Sequence, residues 1–301
     1  MIEKKVLFTS IDGFIGLNIL KKFSKSNFFF LTDKISRVNH EKKIYHYNDF
    51  EKILKSKKIN IVFNNRGILL GKPKDLNKVN YLDSKRIFNL TNKYRVDYFV
   101  NLDTNKALSS PDLPSSIIGH GKGREYHSSK ESFRQFFISK ESSFNKINIH
   151  CDIVYGPNDK LHKFVNKTVF EIINNDKNIT LYNPNLIRNF LYIDDFLKYI
   201  NKLILSIYKL DEPYSELFFS STEFNSLHKF ISTIKSLLKS NIFINSHKCN
   251  IYKIAQNIGD NYHKNRELHY DTKSNKYDFT DTLELILDRG LCFNQYNKFN
   301  K

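Results

Sequence analysis

The sequence predicts an α/β fold, a doubly wound parallel sheet carrying a smaller C-terminal α/β lobe. Three observations predict it. A short β-rich run at the N-terminus ends in a glycine turn and passes into a helical stretch. Apolar runs of strand length then alternate with helical periodicity up to about residue 155, and beyond that the pattern loosens into loops and strongly periodic helices. Strands alternating with helices imply crossover units, which lay helices on a parallel sheet.

The first strand is expected over Lys5 to Thr9, and Leu17 to Phe23 has the period of a helix. Between them, Ser10-Ile11-Asp12-Gly13-Phe14-Ile15-Gly16 forms a turn that would set backbone N–H groups and a helix N-terminus against a pyrophosphate. Ser10, Gly13, Phe14, Ile15 and Gly16 are therefore cofactor-binding candidates. A second buried strand, Phe28 to Thr32, ends at Asp33, 17 residues after Gly16, where a carboxylate would hydrogen-bond the adenosine ribose. Two glycines alone would mark an ordinary turn and helix start. Asp33 also repels a 2′-phosphate, which favours NAD(H) over NADP(H), while Lys34 and Arg37 act the other way.

Asn60 to Phe63 and Tyr98 to Leu102 are the next strands, with a helix around Asn80 to Lys93 between them; Ile147 to Ile153 is a weaker strand. Phe196 to Tyr208 and Leu227 to Leu238 are the periodic helices of the second half. No linker or repeat divides the chain. The expected organisation is a dinucleotide-binding domain over 1–155 and a mainly substrate-binding lobe over 156–301, interwoven with it.

Tyr126-His127-Ser128-Ser129-Lys130 sets a phenol and an ammonium one helical turn apart on one face. A free tyrosine titrates near ~10, and a close cation would bring it down toward neutral pH. The same spacing also occurs on solvated helices; its place after the glycine turn gives it weight. His127 is expected to face substrate or solvent, not to act as a base.

Composition narrows the class. The chain has 301 residues, 40% hydrophobic and 14% aromatic, which suits a packed core. Its net charge of +17 allows a polyanionic partner, but the cations are scattered and Lys, Asn, Ile, Phe and Tyr share A/T-rich codons, so nucleic acid is not the expected partner. Cys151, Cys249 and Cys292 show no metal or disulfide spacing. No run reaches the ~18 apolar residues of a membrane span, and a cytoplasmic protein is expected.

Together these pieces resemble the extended short-chain dehydrogenase/reductase family, the NAD-dependent epimerases and dehydratases with a Rossmann-type domain. Thr9 to Gly16 resembles its Thr-Gly-x-x-Gly-Phe-Ile-Gly, and Tyr126 and Lys130 its Tyr-x-x-x-Lys. Its Ser/Thr after the fourth strand falls on Thr104. Val154-Tyr155-Gly156-Pro157, Arg188-Asn189-Phe190-Leu191-Tyr192-Ile193-Asp194-Asp195 and Asp271-Thr272-Lys273 follow in family order. Stretches around Lys93 to Thr104 and Val154 to Val165 resemble the CDP-abequose and CDP-paratose synthases, which reduce a 4-keto sugar.

The resemblance implies a nucleotide-diphosphate sugar as substrate and Thr104, Tyr126 and Lys130 as catalytic residues. Tyr126 would deliver a proton, Thr104 would bind the same oxygen, and Lys130 would lower the tyrosine and hold the nicotinamide ribose. Arg188 would bind the diphosphate, Asn80 would support the site, though in so asparagine-rich a chain a surface asparagine is equally expected there, and a homodimer is expected. Reduction or epimerisation is implied over dehydration, since Asn105 and Lys106 stand where dehydratases carry Asp-Glu. A non-catalytic nucleotide- or RNA-binding protein on the same fold is the rival. Three departures stand out: Ser10 replaces a glycine whose left-handed turn would cost roughly 1 to 2 kcal/mol at a non-glycine, His150 stands for Arg, and Asn64-Asn65-Arg66-Gly67 replaces a small apolar stretch.

Overall fold

The computed structural model describes residues 4–23, 27–34, 43–104, 122–151, 153–156, 159–160, 162–174, 179–181, 184, 187–219, 224–237 and 244–246. Arg37, Asn105, Lys106, Pro157 and Asp271 to Lys273 lie outside the described residues. Of the described residues, those within Met1–Cys151 and Tyr199–Phe218 form one compact unit, and those within Asp152–Lys198 and Phe219–Lys301 form a second.

The first unit begins with β1 (Val6–Phe8), α1 (Phe14–Lys22), β2 (Phe28–Thr32), β3 (Ile44–His46), α2 (Phe50–Lys57) and β4 (Ile61–Asn64). It continues through α3 (Pro73–Leu76), a wide π-type turn over Asn77–Asp83, α4 (Ser84–Lys93), β5 (Tyr98–Thr104), α5 (Lys122–Ser139) and β6 (Asn145–Cys151). Then come β7 (Ile153–Tyr155), α6 (Phe164–Ile173), β8 (Ile179–Leu181), β9 (Ile187–Tyr192), α7 (Ile193–Ser206) and β10 (Tyr214–Phe219). β11 (Phe224–Ser226), α8 (Leu227–Leu237) and β12 (Ile244–Ser246) follow.

The main sheet has seven strands in the order β10-β6-β5-β4-β1-β2-β3. Val6 pairs in parallel with both Phe28 and Ile61, Ile61 with Tyr98, and Tyr98 with Asn145. Chain order therefore reverses between β1 and β4, and a doubly wound sheet opens its ligand crevice outside the carboxyl ends of the strands at such a point.

The apolar run of each central strand is buried on both sides, as a sheet covered by helices requires. Alternate residues serve the two faces. Phe8 stacks against Phe30 and Phe63 on one, at 5.8 and 5.3 Å between centroids. Leu7, Phe29, Val62 and Phe99 join the cluster on the other, where Phe88 and Phe144 meet at 5.0 Å. Helix α1 buries Gly16, Ile19 and Leu20, the i, i+3, i+4 stripe that lays it on the sheet. Just beyond α5, the Lys146 ammonium donates to the carbonyls of Phe137, Ile138 and Lys140, each at 3.0 Å, and so closes the helix end.

In the second unit β9 pairs in parallel with β7 and antiparallel with β11, while β8 pairs with β12. Phe190 and Phe230 stack at 4.0 Å in its core. Past residue 155, where the sequence pattern loosens into loops and helices, β8 to β12 are strands that it does not mark. Most of these strands are three residues long, too short to show a period of two, and are fixed by their pairing partners.

Candidate active site

The glycine turn joins β1 to α1. Gly13 is the extended N-cap of α1, exposed, with nothing within 4 Å of where a side chain would begin. Gly16 is buried one turn later, and a Cβ there would collide with the Ser10 carbonyl and Ile11, so only glycine lets the helix pack onto the turn. Ser10 carries no left-handed strain: among the described residues the non-glycines with positive φ are Lys43, Lys58 and Arg95. The cost expected for a serine here is not incurred. Asn65 holds the turn instead, accepting from the Ser10 N–H at 3.1 Å and donating back to the Ser10 carbonyl.

The first turn of α1, Phe14 to Gly16, carries no acidic side chain. Its N–H groups lack helical acceptors, as at any helix start, and face an open cradle at Gly13 that suits a pyrophosphate. Asp12 is engaged elsewhere, accepting from the Thr32 hydroxyl and from the Asp33 N–H at 3.0 Å. Asp33 stands at the carboxyl end of β2, its side chain 44% exposed and ion-paired to Arg66 at 2.8 Å.

Thr104 is the last residue of β5, and Tyr126 and Lys130 lie on α5; the fold brings all three together. The Thr104 side chain hydrogen-bonds Tyr126. Lys130 is buried and donates to the Leu102 carbonyl at 3.0 Å. Asn80, at the middle of the π-type turn, is fully buried. It accepts from Ile68 N–H at 2.8 Å and donates to the Ile68 carbonyl and the Ser129 hydroxyl, each at 3.0 Å, which ties the turn to the residue preceding Lys130. It is not the surface asparagine that the composition also allowed. His127 is buried with its ring edge-on to Tyr126 at 5.3 Å, so it does not face solvent.

Burial pushes the Tyr126 phenol well above its usual range, the nearby Asp103 carboxylate adds to the rise, and the Thr104 hydrogen bond opposes it. Burial lowers Lys130, and Asp103 resists that change. A tyrosine lowered by Lys130 is thus not what this geometry produces, because exclusion of water dominates the phenol and the ammonium is engaged by the Leu102 carbonyl.

A feature missed in the sequence crosses the sheet behind these residues. Thr9 Oγ1 donates to Asn64 Oδ1 (3.1 Å), Asn64 Nδ2 to Asn101 Oδ1 (3.1 Å), and Asn101 Nδ2 to Asn148 Oδ1 (2.7 Å). Asn148 Nδ2 lies 3.4 Å from Asp103 Oδ2 and 3.2 Å from His150 Nε2, which is 3.4 Å from Glu216 on β10. The ladder runs from the residue before Ser10 to the residue before Thr104. Its one sequence signal is an asparagine inside each of three apolar strands.

Arg188 lies on β9 in the second unit, paired in register with Asn225; its side chain lies outside the described residues. Among the described residues no group of three or more His, Cys, Asp or Glu is placed to hold a metal, and no helix is long and apolar enough to cross a membrane.

The model of the NAD dependent epimerase/dehydratase family matches residues 6–213. Curated protein sequences contain no match. Among solved structures, the chain is similar to a UDP-glucuronic acid 4-epimerase from Bacillus cereus in complex with NAD, at 16% identity and a TM-score of 0.71, covering 97% of this chain and 98% of that one. It is also similar to a UDP-glucose 4-epimerase from Thermotoga maritima with UDP-glucose, at 14% identity and a TM-score of 0.66, covering 99% and 100%. A dTDP-glucose 4,6-dehydratase from Bacillus anthracis in complex with NAD gives 16% identity and a TM-score of 0.67, again covering 99% and 100%.

Proposed function

The chain belongs to the NAD dependent epimerase/dehydratase family, and on that premise we propose that it is an NAD(H)-dependent oxidoreductase that reduces a 4-keto-deoxysugar carried on a nucleotide diphosphate. The observation that carries this reading is the hydrogen-bonded Thr104–Tyr126 pair with buried Lys130 beside it, in the same unit as the glycine turn. Bound NADH supplies the hydride.

Tyr126 delivers its proton to the sugar carbonyl oxygen, and Thr104 hydrogen-bonds that oxygen as charge develops on it. Lys130 holds the nicotinamide ribose. The turn from Ser10 to Gly16 cradles the pyrophosphate and Asp33 accepts from the adenosine ribose. Arg188 holds the substrate diphosphate, for which a planar guanidinium fork suits two parallel charge-assisted bonds.

Burial and Asp103 keep the phenol protonated. The similarity to two structures described as 4-epimerases favours epimerisation as the second reading.

The test is a fluorescence titration with NADH at physiological salt, followed by turnover of CDP-, dTDP- and UDP-4-keto sugars. Saturable binding and NADH consumption are expected; binding without consumption, together with exchange between 4-epimers, would move the assignment to epimerase. Folded protein that binds neither NADH nor NADPH but binds RNA in a steeply salt-dependent way would sink both. Tyr126→Phe is expected to reduce turnover by at least about a hundredfold while leaving NADH affinity nearly unchanged.

A further inference from the structure

At the carboxyl ends of β2 and β4 stands a cluster of which the cofactor reading uses only Asp33. Arg66 is buried, its side chain 10% exposed, and each of its three guanidinium nitrogens lies against a carboxylate. Nε and Nη2 both reach Asp83 Oδ2 at 2.8 Å, and Nη1 reaches Asp33 Oδ2 at 2.8 Å. Its guanidinium carbon lies 4.1 Å from the centre of the Tyr47 ring. Tyr47 is itself buried, which pushes its phenol up to about 12, so the ring meets Arg66 uncharged. Burial disfavours the Arg66 charge, and the hydrogen bonds and charges of Asp33 and Asp83 more than offset it.

The clamp acts on Asp33 from one side. Asp33 Oδ2 is occupied, whereas no described residue hydrogen-bonds Oδ1, and the carboxylate is 44% exposed. The Asp33 backbone N–H is fixed as well, by Asp12 at 3.0 Å. Around this point stand the carboxylates of Asp12, Asp33 and Asp83, against Arg66 and, 5.7 Å from the Tyr47 ring, Arg86.

We propose that Arg66, anchored by Asp83 and Tyr47, is the specificity-determining residue of the cofactor's adenosine end: it fixes Asp33 as an acceptor for a ribose diol and, because its charge is already paired with the carboxylates of Asp33 and Asp83, disfavours a 2′-phosphate. The proposal rests on the cofactor reading above and assigns Arg66 a part in it. An arginine at the adenosine end would ordinarily point to NADP(H), since a free guanidinium binds phosphate through two bonds. Here such a phosphate would have to displace Asp33 and then face Asp12.

The experiment measures dissociation constants for NADH and NADPH by nicotinamide fluorescence, on the whole chain, for the wild type, Arg66→Met, Arg66→Lys and Asp33→Asn. Circular dichroism and thermal melts confirm that each is folded. The wild type is expected to bind NADH at least about tenfold more tightly than NADPH, a difference of roughly 1.4 kcal/mol. Arg66→Met is expected to weaken NADH about tenfold without improving NADPH, because Asp33 is no longer oriented. Arg66→Lys keeps the charge without the fork and is expected to fall between. Asp33→Asn, at a half-exposed position that tolerates the change, is expected to bring the two affinities within about threefold, and it keeps the proposal open to refutation where Arg66→Met does not fold.

A wild type that prefers NADPH, or an Arg66→Met protein that loses NADPH more than NADH, would make Arg66 a phosphate ligand and overturn the proposal. So would Arg66→Met with unchanged NADH affinity. Folded wild-type protein that binds neither dinucleotide refutes the cofactor reading itself, an outcome distinct from binding without discrimination.

Discussion

Replacing Asn101 by leucine tests whether the asparagine ladder holds the sheet together. Asn101 is 1% exposed on β5 and makes two buried side-chain bonds, at 2.7 Å to Asn148 and 3.1 Å from Asn64. Leucine shares asparagine's branching at Cγ but is larger, so no cavity forms and crowding adds to the loss of hydrogen bonding. Each lost bond costs about 0.5 to 1.5 kcal/mol net, and a buried group left unsatisfied costs about 1 to 3. Asn64 Nδ2 keeps Ser84 Oγ at 3.2 Å, so its loss falls at the low end, whereas Asn148 Oδ1 gives up the donor it has here. Burial of the new apolar side chain offsets part of this. The expected loss is about 2 to 4 kcal/mol, which lowers the melting temperature by about 3 to 6 °C for a chain of this size. The assay is urea unfolding with the m-value compared between variants, since an unchanged m confines the effect to stability. Asn64→Leu combined with Asn101→Leu should cost less than the sum of the two, because each single change already breaks the Asn64–Asn101 bond. A change below about 0.5 kcal/mol for Asn101→Leu, or strict additivity of the pair, would refute the reasoning.

Other outcomes follow from single contacts. The folded pKa of Tyr126 is raised above the ~10 of an unfolded tyrosine, so its contribution to stability is fully present below that value and is lost as pH rises toward the folded one. Unfolding midpoints from pH 9 to 11 should therefore fall less steeply in Tyr126→Phe than in the wild type, and equal slopes would contradict the assigned burial. Lys146→Met removes three bonds to the end of α5 and is expected to cost about 1 to 3 kcal/mol in the same urea assay. Arg188→Ala should raise the Michaelis constant for the nucleotide sugar several-fold with little change in NADH affinity; a change confined to NADH would remove it from the substrate site.

Much of the fold was legible because the determining signals are local. β1, β2, β4 and β5 are short apolar runs, and strands buried on both faces need no more than that. The glycines at positions 13 and 16 and the four-residue step from Tyr126 to Lys130 report a turn and a helix face without reference to the rest of the chain. β3, β8, β11 and β12 were not legible, since three residues carry no periodicity and are strands only because a neighbour pairs with them.

The sequence by itself determined which chemical groups are present and at what spacing: a helix start free of acidic side chains, a carboxylate after the second strand, and a phenol one turn from an ammonium. Tertiary structure decided what each of those groups is in contact with. Ser10 is unstrained because Asn65, 55 residues away, holds both its backbone polar groups. Asp33 is an oriented carboxylate because Arg66 comes to it from the end of another strand, and Tyr126 is held protonated because burial and Asp103 outweigh its hydrogen bond to Thr104. Each of these depends on partners distant in sequence, which composition and spacing do not carry.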